Sequence, residues 1–253
     1  MSLTLLTVET NLTMPVASLI TLIMVLIIGY YNGITVVKSG LPSFIITLGS
    51  LFMIRGFTIA ISKIITGRTQ IGGIEESKGF NIMSSVFSNH LTIAGTNFPI
   101  SIFWWMLFGV LGYFLLKHTQ FGNWIFATGA SQESAKLMGI PVQKVKISLF
   151  MLTAFCSWFI AVTQVTTFGG ADVLRGEQKE FIAIIAVVIG GTLLTGGYGS
   201  IIGAMIGALI FGIVKQGIIF AGVDADWFQV FMGVMLVSAV LVNGAFRKKY
   251  AQG

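Results

Sequence analysis

Charged residues are scarce in this sequence: Lys, Arg, Asp and Glu make up 9% of its 253 residues, whereas hydrophobic residues make up 55%. Soluble domains usually carry about 25% charged residues, so this composition excludes an ordinary soluble domain. The apolar runs are long and do not alternate with polar residues, which excludes a transmembrane β-barrel. With a mean hydropathy of +0.91, the sequence predicts an all-α, polytopic bundle of transmembrane helices.

Reactive and metal-binding side chains are equally few. The single cysteine, Cys156, excludes a disulfide scaffold and a Cys-x-x-Cys metal site. His90 and His118 lie far apart in polar segments, and two such histidines do not predict a metal site. The basic residues behind the net charge of +6 are scattered, so we expect no nucleic-acid partner. No predicted span pairs a nucleophile with a base, so we expect neither enzymatic activity nor a cofactor in this chain.

The longest uncharged stretch, residues 181–214, organises the prediction of the fold. As one helix it would be about 51 Å long, against a hydrocarbon core of roughly 30 Å. Gly196, Gly197 and Gly199 favour a break between two apolar segments because glycine is a poor helix former. Gly199, Gly203 and Gly207 then form a stripe that allows close helix packing. Alternatively, these glycines line a path or a moving joint.

The rest of the chain predicts five further spans, for a total of seven. We place the spans at residues 15–37, 43–65, 99–116, 147–168, in the two halves of residues 181–221, and at residues 227–246. Residues 66–98 are polar and long enough to carry short structure of their own. The distribution of Lys and Arg favours a cytoplasmic location for residues 119–146 and for the C-terminal end.

Arg55 lies near the middle of the second predicted span. A charge inside the membrane is energetically expensive and is a functional candidate by default. The alternative is a structural partner for an ion or a carbonyl group inside the bundle. The sequence leaves both interpretations open.

The cytoplasmic loop, residues 119–146, predicts one short helix over residues 132–138. Ser131 is a suitable N-cap, and Glu133 is placed to stabilise the first turn. Gly139 and Pro141 end the helix. So short a helix is marginal alone and needs a partner surface, either in its own bundle or on another protein.

Four groups of residues, spread along nearly the whole chain, form one ordered pattern. They are Tyr31-Asn32-Gly33 with residues 42–49 and Arg55-Gly56; Thr119, Phe121, Gly122, Ala127, Gly129, Ala135 and Gly139-Ile140; residues 186–192 with Gly196, Gly197, Gly199 and Ser200; and Gly207-Ala208-Leu209. In this order they resemble the permease subunits of bacterial ABC importers of the ribose, xylose and arabinose type, within the branched-chain amino acid permease superfamily.

The resemblance implies a multi-pass protein of the bacterial inner membrane that forms a homodimeric pore in the lipid bilayer. It implies that a periplasmic binding protein delivers a monosaccharide and that a separate ABC ATPase subunit hydrolyses ATP. The helix at residues 132–138 would be the coupling helix that docks on this ATPase. Expected coupling residues are Gly122, Gly129, Gln132, Glu133, Ala135, Lys136 and Gly139. Expected packing or pore residues are Gly190, Gly191, Gly196, Gly197, Gly199, Gly203, Gly207 and Arg55.

The chain departs from the family pattern at three places. Asn123 stands where the family usually has arginine, and Ala130-Ser131 stands where it usually has Gly-Asn. Such permeases also begin with further membrane segments, so we expect residues 1–253 to be a single permease domain truncated at its N-terminus. Two alternatives stay open: the same fold importing a nucleoside or a branched-chain amino acid, and a stand-alone facilitator or an inactive partial bundle.

Overall fold

The structure, a computed structural model, describes residues 1–93, 95–224 and 227–251, without the side chains of Ile93, Ala239 and residues 242–251. The predicted all-α class is confirmed, because helices account for most of these residues. The helices are α1 (Ser2–Val8), α2 (Met14–Ser39), α3 (Ser43–Thr66), α4 (Phe80–Phe87), α5 (Ser101–His118), α6 (Gln120–Ala130), α7 (Gln132–Leu137), α8 (Val142–Phe168), α9 (Lys179–Ile189), α10 (Ile201–Phe220) and α11 (Trp227–Ala251). The strands are β1 (Gln70–Gly72), β2 (His90–Ile93), β3 (Thr96–Pro99) and β4 (Gly170–Asp172), with a 3₁₀ turn at Ile74–Glu76.

Five helices within the described part of the chain are long and apolar enough to cross a membrane: α2, α3, α5, α8 and α10. They match the first four predicted spans and the sixth. Helix α11 occupies the seventh, although its described apolar portion, Trp227–Ser238, is shorter than a membrane crossing. The membrane-spanning character predicted from composition is therefore confirmed for five segments.

The predicted fifth span is wrong in length. Helix α9 has 11 residues, which corresponds to about 16 Å, or roughly half of a hydrocarbon core. It ends at Ile189 instead of continuing to residue 194, and residues 190–200 form an irregular connection to α10. The predicted break is confirmed, but it begins at residue 190, well before Gly196, Gly197 and Gly199, and it is longer than this group of glycines indicates.

Residues 1–105 and 143–176 form one compact unit. Its core joins α1, α2, α4 and α8 around side chains that include Met14, Ile74, Phe87 and Val162. The short structure predicted in residues 66–98 is confirmed. Strand β1 pairs with β4 as an antiparallel ribbon, and β2 pairs with β3 in the same manner.

Helices α2 and α8 of this unit meet at two glycines spaced four residues apart. A Cβ atom built on Gly29 would lie 2.7 Å from the Cβ of Ala154, and one built on Gly33 would lie 3.0 Å from the Cα of Ile147. This small-residue spacing is the one that permits close helix approach. Helix α2 is also joined to α3, because the Ser50 hydroxyl of α3 donates a hydrogen bond to Asn32 Oδ1 of α2.

Residues 106–142 and 177–253 form the second compact unit. Helices α9, α10 and α11 contribute Ile185, Phe211 and Met232 to its core. This unit contains both the short helix predicted to couple transport and the glycine-rich connection between α9 and α10. Most of the predicted functional residues therefore lie in a single unit.

Candidate functional site

Residues 119–146, the predicted coupling loop, begin with a tight corner between α5 and α6. The Thr119 hydroxyl accepts a hydrogen bond from the Gly122 amide at 3.1 Å and donates one to the Leu115 carbonyl at 2.6 Å. Gly122 is buried, and a Cβ atom there would overlap the carbonyl oxygen of Leu116. Gly122 is therefore required by the close approach of two main chains and offers no side chain to a partner.

Helix α6 is a feature that the sequence prediction missed. Residues 120–130 contain Gly122 and Gly129, and their propensity for helix is correspondingly low. The N-cap hydrogen bond from Thr119 compensates for part of this. Its C-cap is Ser131, whose amide donates to the Ala127 carbonyl at 3.1 Å.

Helix α7, Gln132–Leu137, lies where the sequence predicts the coupling helix and is one residue shorter. Ser131 is its N-cap, and the Ser131 hydroxyl accepts a hydrogen bond from the Ser134 amide at 3.3 Å. Gln132, Glu133 and Lys136 are exposed. Ala135 is fully buried, so its side chain anchors the helix within the chain, and a partner protein cannot contact it.

The C-terminal end of α7 is closed by two hydrogen bonds of the Schellman type. The Gly139 amide donates to the Lys136 carbonyl at 3.0 Å, and the Ile140 amide donates to the Ala135 carbonyl at 3.0 Å. Gly139 has φ of 78°, a conformation that glycine adopts without a steric penalty. A six-residue helix is thus fixed at both ends by local interactions.

Two large apolar side chains at this end of α7 are exposed. Leu137 is 86% exposed and Met138 is 68% exposed. Together with Glu133 and Lys136, they form a surface that we call the α7 face. An apolar pair flanked by charges of both signs is the composition of a small protein–protein contact.

The end of α9 is also closed by a Schellman pair. The Gly191 amide donates to the Val188 carbonyl at 2.9 Å, and the Thr192 amide donates to the Val187 carbonyl at 3.2 Å. Gly191 has φ of 85°. Helix α9 therefore ends at Ile189 because Gly191 adopts a left-handed backbone conformation, although apolar residues continue beyond this point.

Residues 192–199 fold into a closed loop, which we call the glycine loop. The Leu193 amide donates to the Tyr198 carbonyl at 3.1 Å, and the Gly196 amide donates to the Leu193 carbonyl at 3.1 Å. The next residue, Ser200, is the N-cap of α10, and its hydroxyl accepts from the Gly203 amide at 2.9 Å. The irregular connection thus has an ordered hydrogen-bonding pattern.

The glycine stripe of α10 faces α9 and the glycine loop. Cβ atoms built on Gly190 and Gly203 would each overlap the carbonyl oxygen of the other residue, and one built on Gly207 would overlap that of Ala186. A Cβ atom on Gly199 would lie 2.8 Å from Thr192 Cγ2. The two helices are therefore packed main chain against main chain, which is the arrangement that small residues permit in membranes.

The glycine loop also contacts the end of α6. A Cβ atom built on Gly129 would lie 2.6 Å from the amide nitrogen of Gly197, and one built on Gly196 would lie 2.7 Å from the carbonyl oxygen of Gly129. This contact joins two groups of residues that the sequence prediction treated separately. No pattern in the sequence connects them.

Two of the charged residues within the spans are Arg55 and Lys215. Arg55 is half-buried on α3 in the first unit, whereas the predicted coupling and packing glycines belong to the second unit. In the second unit, the Lys215 ammonium lies 5.2 Å from the centroid of the Phe228 ring, within the range of a cation–π interaction. Among the described residues, no cluster of His, Cys, Asp and Glu could hold a metal ion.

An open pocket of about 740 Å³ lies at the end of α3 in the first unit. Its lining includes Lys63, Arg68 and Gln70. The two cationic side chains in this lining favour an acidic partner surface. The nearby Arg175, by contrast, donates to the Gly170 carbonyl at 2.7 Å and stacks on Phe168, so this side chain has partners within its own chain.

Comparison with known proteins identifies the family. Residues 1–240 match the family described as "Branched-chain amino acid transport system / permease component". The chain is 30% identical over 216 residues to the ribose import permease protein RbsC of Escherichia coli, covering 85% of this chain and 64% of that protein. It is 29% identical over 235 residues to the fructose import permease protein FruG of Bifidobacterium longum, covering 90% and 67% respectively.

A third relative is the autoinducer 2 import system permease protein LsrD of Photorhabdus laumondii, which is 33% identical over 233 residues, or 92% of this chain and 68% of that protein. No solved structure matches the chain. The chain spans about two thirds of the length of each of these three relatives. It is a multi-pass membrane protein that belongs to the branched-chain amino acid transport system permease family.

Proposed function

We propose that this chain is the transmembrane subunit of an ATP-driven importer that carries a monosaccharide across the bacterial inner membrane. The observation that supports this function best is the α7 face. A six-residue helix, fixed at both ends and anchored by a buried alanine, presents Leu137 and Met138 at high exposure. An apolar pair held in this way is suited to docking on a second protein.

The substrate class follows from the relatives. Their names specify import of ribose, fructose and autoinducer 2. Sugars are neutral and are bound by hydrogen-bonding groups, so they require no buried ion pair in the path. The sequence places no pair of opposite charges in its predicted spans, which favours a monosaccharide over a zwitterionic amino acid.

The partners follow from the same function. ATP hydrolysis takes place on a separate ABC ATPase subunit, which receives the α7 face within the coupling loop, residues 119–146. A periplasmic binding protein delivers the sugar on the opposite side of the membrane. The permease domain, residues 1–253, works as a homodimer in the lipid bilayer, and its glycine-packed helices α9 and α10 form part of the moving body.

Two other functions compete with this one. The same fold could import a nucleoside or a branched-chain amino acid, which uptake assays with different solutes would distinguish. A stand-alone facilitator or an inactive partial bundle would have no use for a docking helix. Retention of an ATPase therefore separates these last two possibilities from an importer subunit.

The test is co-purification of a P-loop ATPase with the tagged chain from bacterial membranes. The Leu137→Ser variant removes one of the two exposed apolar side chains of the α7 face. It should reduce the amount of retained ATPase by about tenfold, since an apolar interface side chain of this size contributes about 1.5 kcal/mol or more. Gln143→Ser is the control, because Gln143 is an exposed residue in the first turn of α8 and lies outside the α7 face. Equal retention by both variants would contradict the docking role, and no retention by the unaltered chain would contradict the importer itself.

A further inference from the structure

The strongest unexplained feature of the second unit is the contact between the end of α6 and the glycine loop. It is formed by main-chain atoms from both sides. Cβ atoms built on Gly129, Gly196 and Gly197 would lie 2.6, 2.7 and 3.0 Å from the nearest main-chain atoms across the contact. The contact between α6 and the glycine loop therefore requires glycine at all three positions, one in α6 and two in the loop.

Each side of this contact is continuous with an element of the proposed function. Gly129 is the second-last residue of α6, and Ser131 caps both the end of α6 and the start of α7. On the other side, the glycine loop is closed by the hydrogen bond between Leu193 and Tyr198. It connects α9 to α10, which are themselves packed through their main chains.

Main-chain contacts transmit displacement differently from side-chain contacts. A side chain between two elements can change its rotamer and absorb a small shift. Two main chains in van der Waals contact have no such freedom, because protein interiors are close-packed and have low compressibility. A movement of α7 and α6 must therefore displace the glycine loop or separate from it.

We propose that Gly129, Gly196 and Gly197 form the joint through which movement of the coupling helix α7 is passed to α9 and α10. This inference rests on the proposed function. The three glycines are positioning residues, because they set the distance between the ATPase-docking helix and the packed pair of helices. The contact stays closed during transport, so that α6 and α7 on one side and the glycine loop with α9 and α10 on the other move together.

The first test is the Gly129→Ala variant in the complex that co-purifies with the tagged chain, reconstituted in liposomes with its binding protein. The added Cβ would push against the Gly197 amide, which cannot yield as a flexible side chain does. We expect the ATPase to be retained and to hydrolyse ATP, while uptake of radiolabelled ribose or fructose per ATP hydrolysed falls by about tenfold. This ratio is measured on the assembled complex, so reduced insertion of the variant does not alter it.

Gly212→Ala is the matched control, because no described atom lies within 4 Å of a Cβ built on Gly212 of α10. It should leave uptake per ATP unchanged. If Gly129→Ala behaves like Gly212→Ala, the joint is refuted while the proposed function stands. If the unaltered chain retains no ATPase and takes up neither sugar, the proposed function is what has failed.

The second test asks whether the contact opens during transport, and it compares one variant with itself in two redox states. A Cβ built on Gly197 would lie 3.1 Å from the Cβ of Ala130, slightly less than the Cβ separation of about 3.5–4.5 Å in disulfides. The Ala130→Cys and Gly197→Cys pair, in a Cys156→Ser background, adds bulk at the contact and should lower uptake per ATP already in the reduced form. Formation of the disulfide should then leave this lowered ratio unchanged within about twofold. Loss of uptake on oxidation, restored by dithiothreitol, would show that the contact opens during transport and would overturn the proposal.

Discussion

Gly207 packs directly on the carbonyl group of Ala186, so closely that a Cβ atom on the glycine would overlap the carbonyl oxygen. The two residues join α10 to α9. Apolar lipid provides no hydrophobic driving force for such an association, so close packing must supply it. The glycine spacing in α10 is therefore a determinant of stability, whatever its role in transport.

The Gly207→Ala substitution should destabilise the protein by about 1–3 kcal/mol, the usual cost of overpacking a close contact. Denaturation of the purified protein in mixed detergent would measure this change in the free energy of unfolding. Gly212→Ala on the same helix has open space around the new methyl group and should not destabilise. Equal stability of the two variants would show that α9 and α10 do not pack as described.

The turn after α7 offers a test of backbone conformation alone. Gly139 has φ of 78°, and no described atom lies within 4 Å of a Cβ built there. Asparagine tolerates this conformation, whereas β-branched residues do not. We expect Gly139→Asn to retain the ATPase as the unaltered chain does and Gly139→Val to retain about tenfold less, since the left-handed conformation costs a valine roughly 1–2 kcal/mol. Equal retention by the valine variant would show that the shape of this turn does not matter for docking.

The cap of α7 should control how often this helix opens. Ser131→Ala removes the acceptor for the Ser134 amide and should cost about 1 kcal/mol. Hydrogen exchange of the amides in residues 134–137 should then accelerate by about fivefold. Ser131→Asp supplies another acceptor and should restore slow exchange, and failure of this restoration would argue against capping as the cause.

The cationic pocket at the end of α3 should affect the delivery of substrate and leave the ATPase contact intact. The double substitution Lys63→Glu and Arg68→Glu replaces both cationic side chains of the pocket lining by carboxylates. If an acidic binding protein docks there, stimulation of ATP hydrolysis by the loaded binding protein should fall by about tenfold or more, because reversed charges repel at an interface. ATPase retention should not change.

Lys78→Glu is the control for this charge reversal, because Lys78 is exposed and lies outside the pocket lining. It changes the net charge in the same direction at one position. If the control reduces stimulation as much as the double variant does, the effect is one of overall charge and the pocket has no specific role. Unchanged stimulation in both variants would remove the pocket from the docking surface.

Local chemistry explains which parts of this structure could be predicted from the sequence. Helix α7 is predictable because Ser131, Gly139 and Pro141 mark its ends through interactions within a few residues. The long spans were predicted because bilayer thickness fixes the length of an apolar helix. Helix α6 was missed because its two glycines and its polar residues resemble a loop.

Longer-range features could not be predicted in this way. The end of α9 was misplaced because apolar residues continue past Gly190, and composition does not reveal a left-handed residue such as Gly191. The approach of α2 to α8 does have a signal in the sequence, the four-residue spacing of Gly29 and Gly33. The contact of Gly129 with Gly197 had none, because it joins main-chain atoms, which every residue type shares.

The shortness of α9 has a consequence for the residues that follow it. A helix of about 16 Å covers roughly half of a hydrocarbon core, so α9 alone does not cross a bilayer. Irregular backbone beside lipid is tolerated only when its polar groups have partners. The residues after Ile189 meet part of this requirement locally, through the Schellman pair at Gly191 and Thr192 and the hydrogen bonds of the glycine loop. The turn between α9 and α10 therefore carries hydrogen bonds of its own wherever the boundary of the hydrocarbon falls.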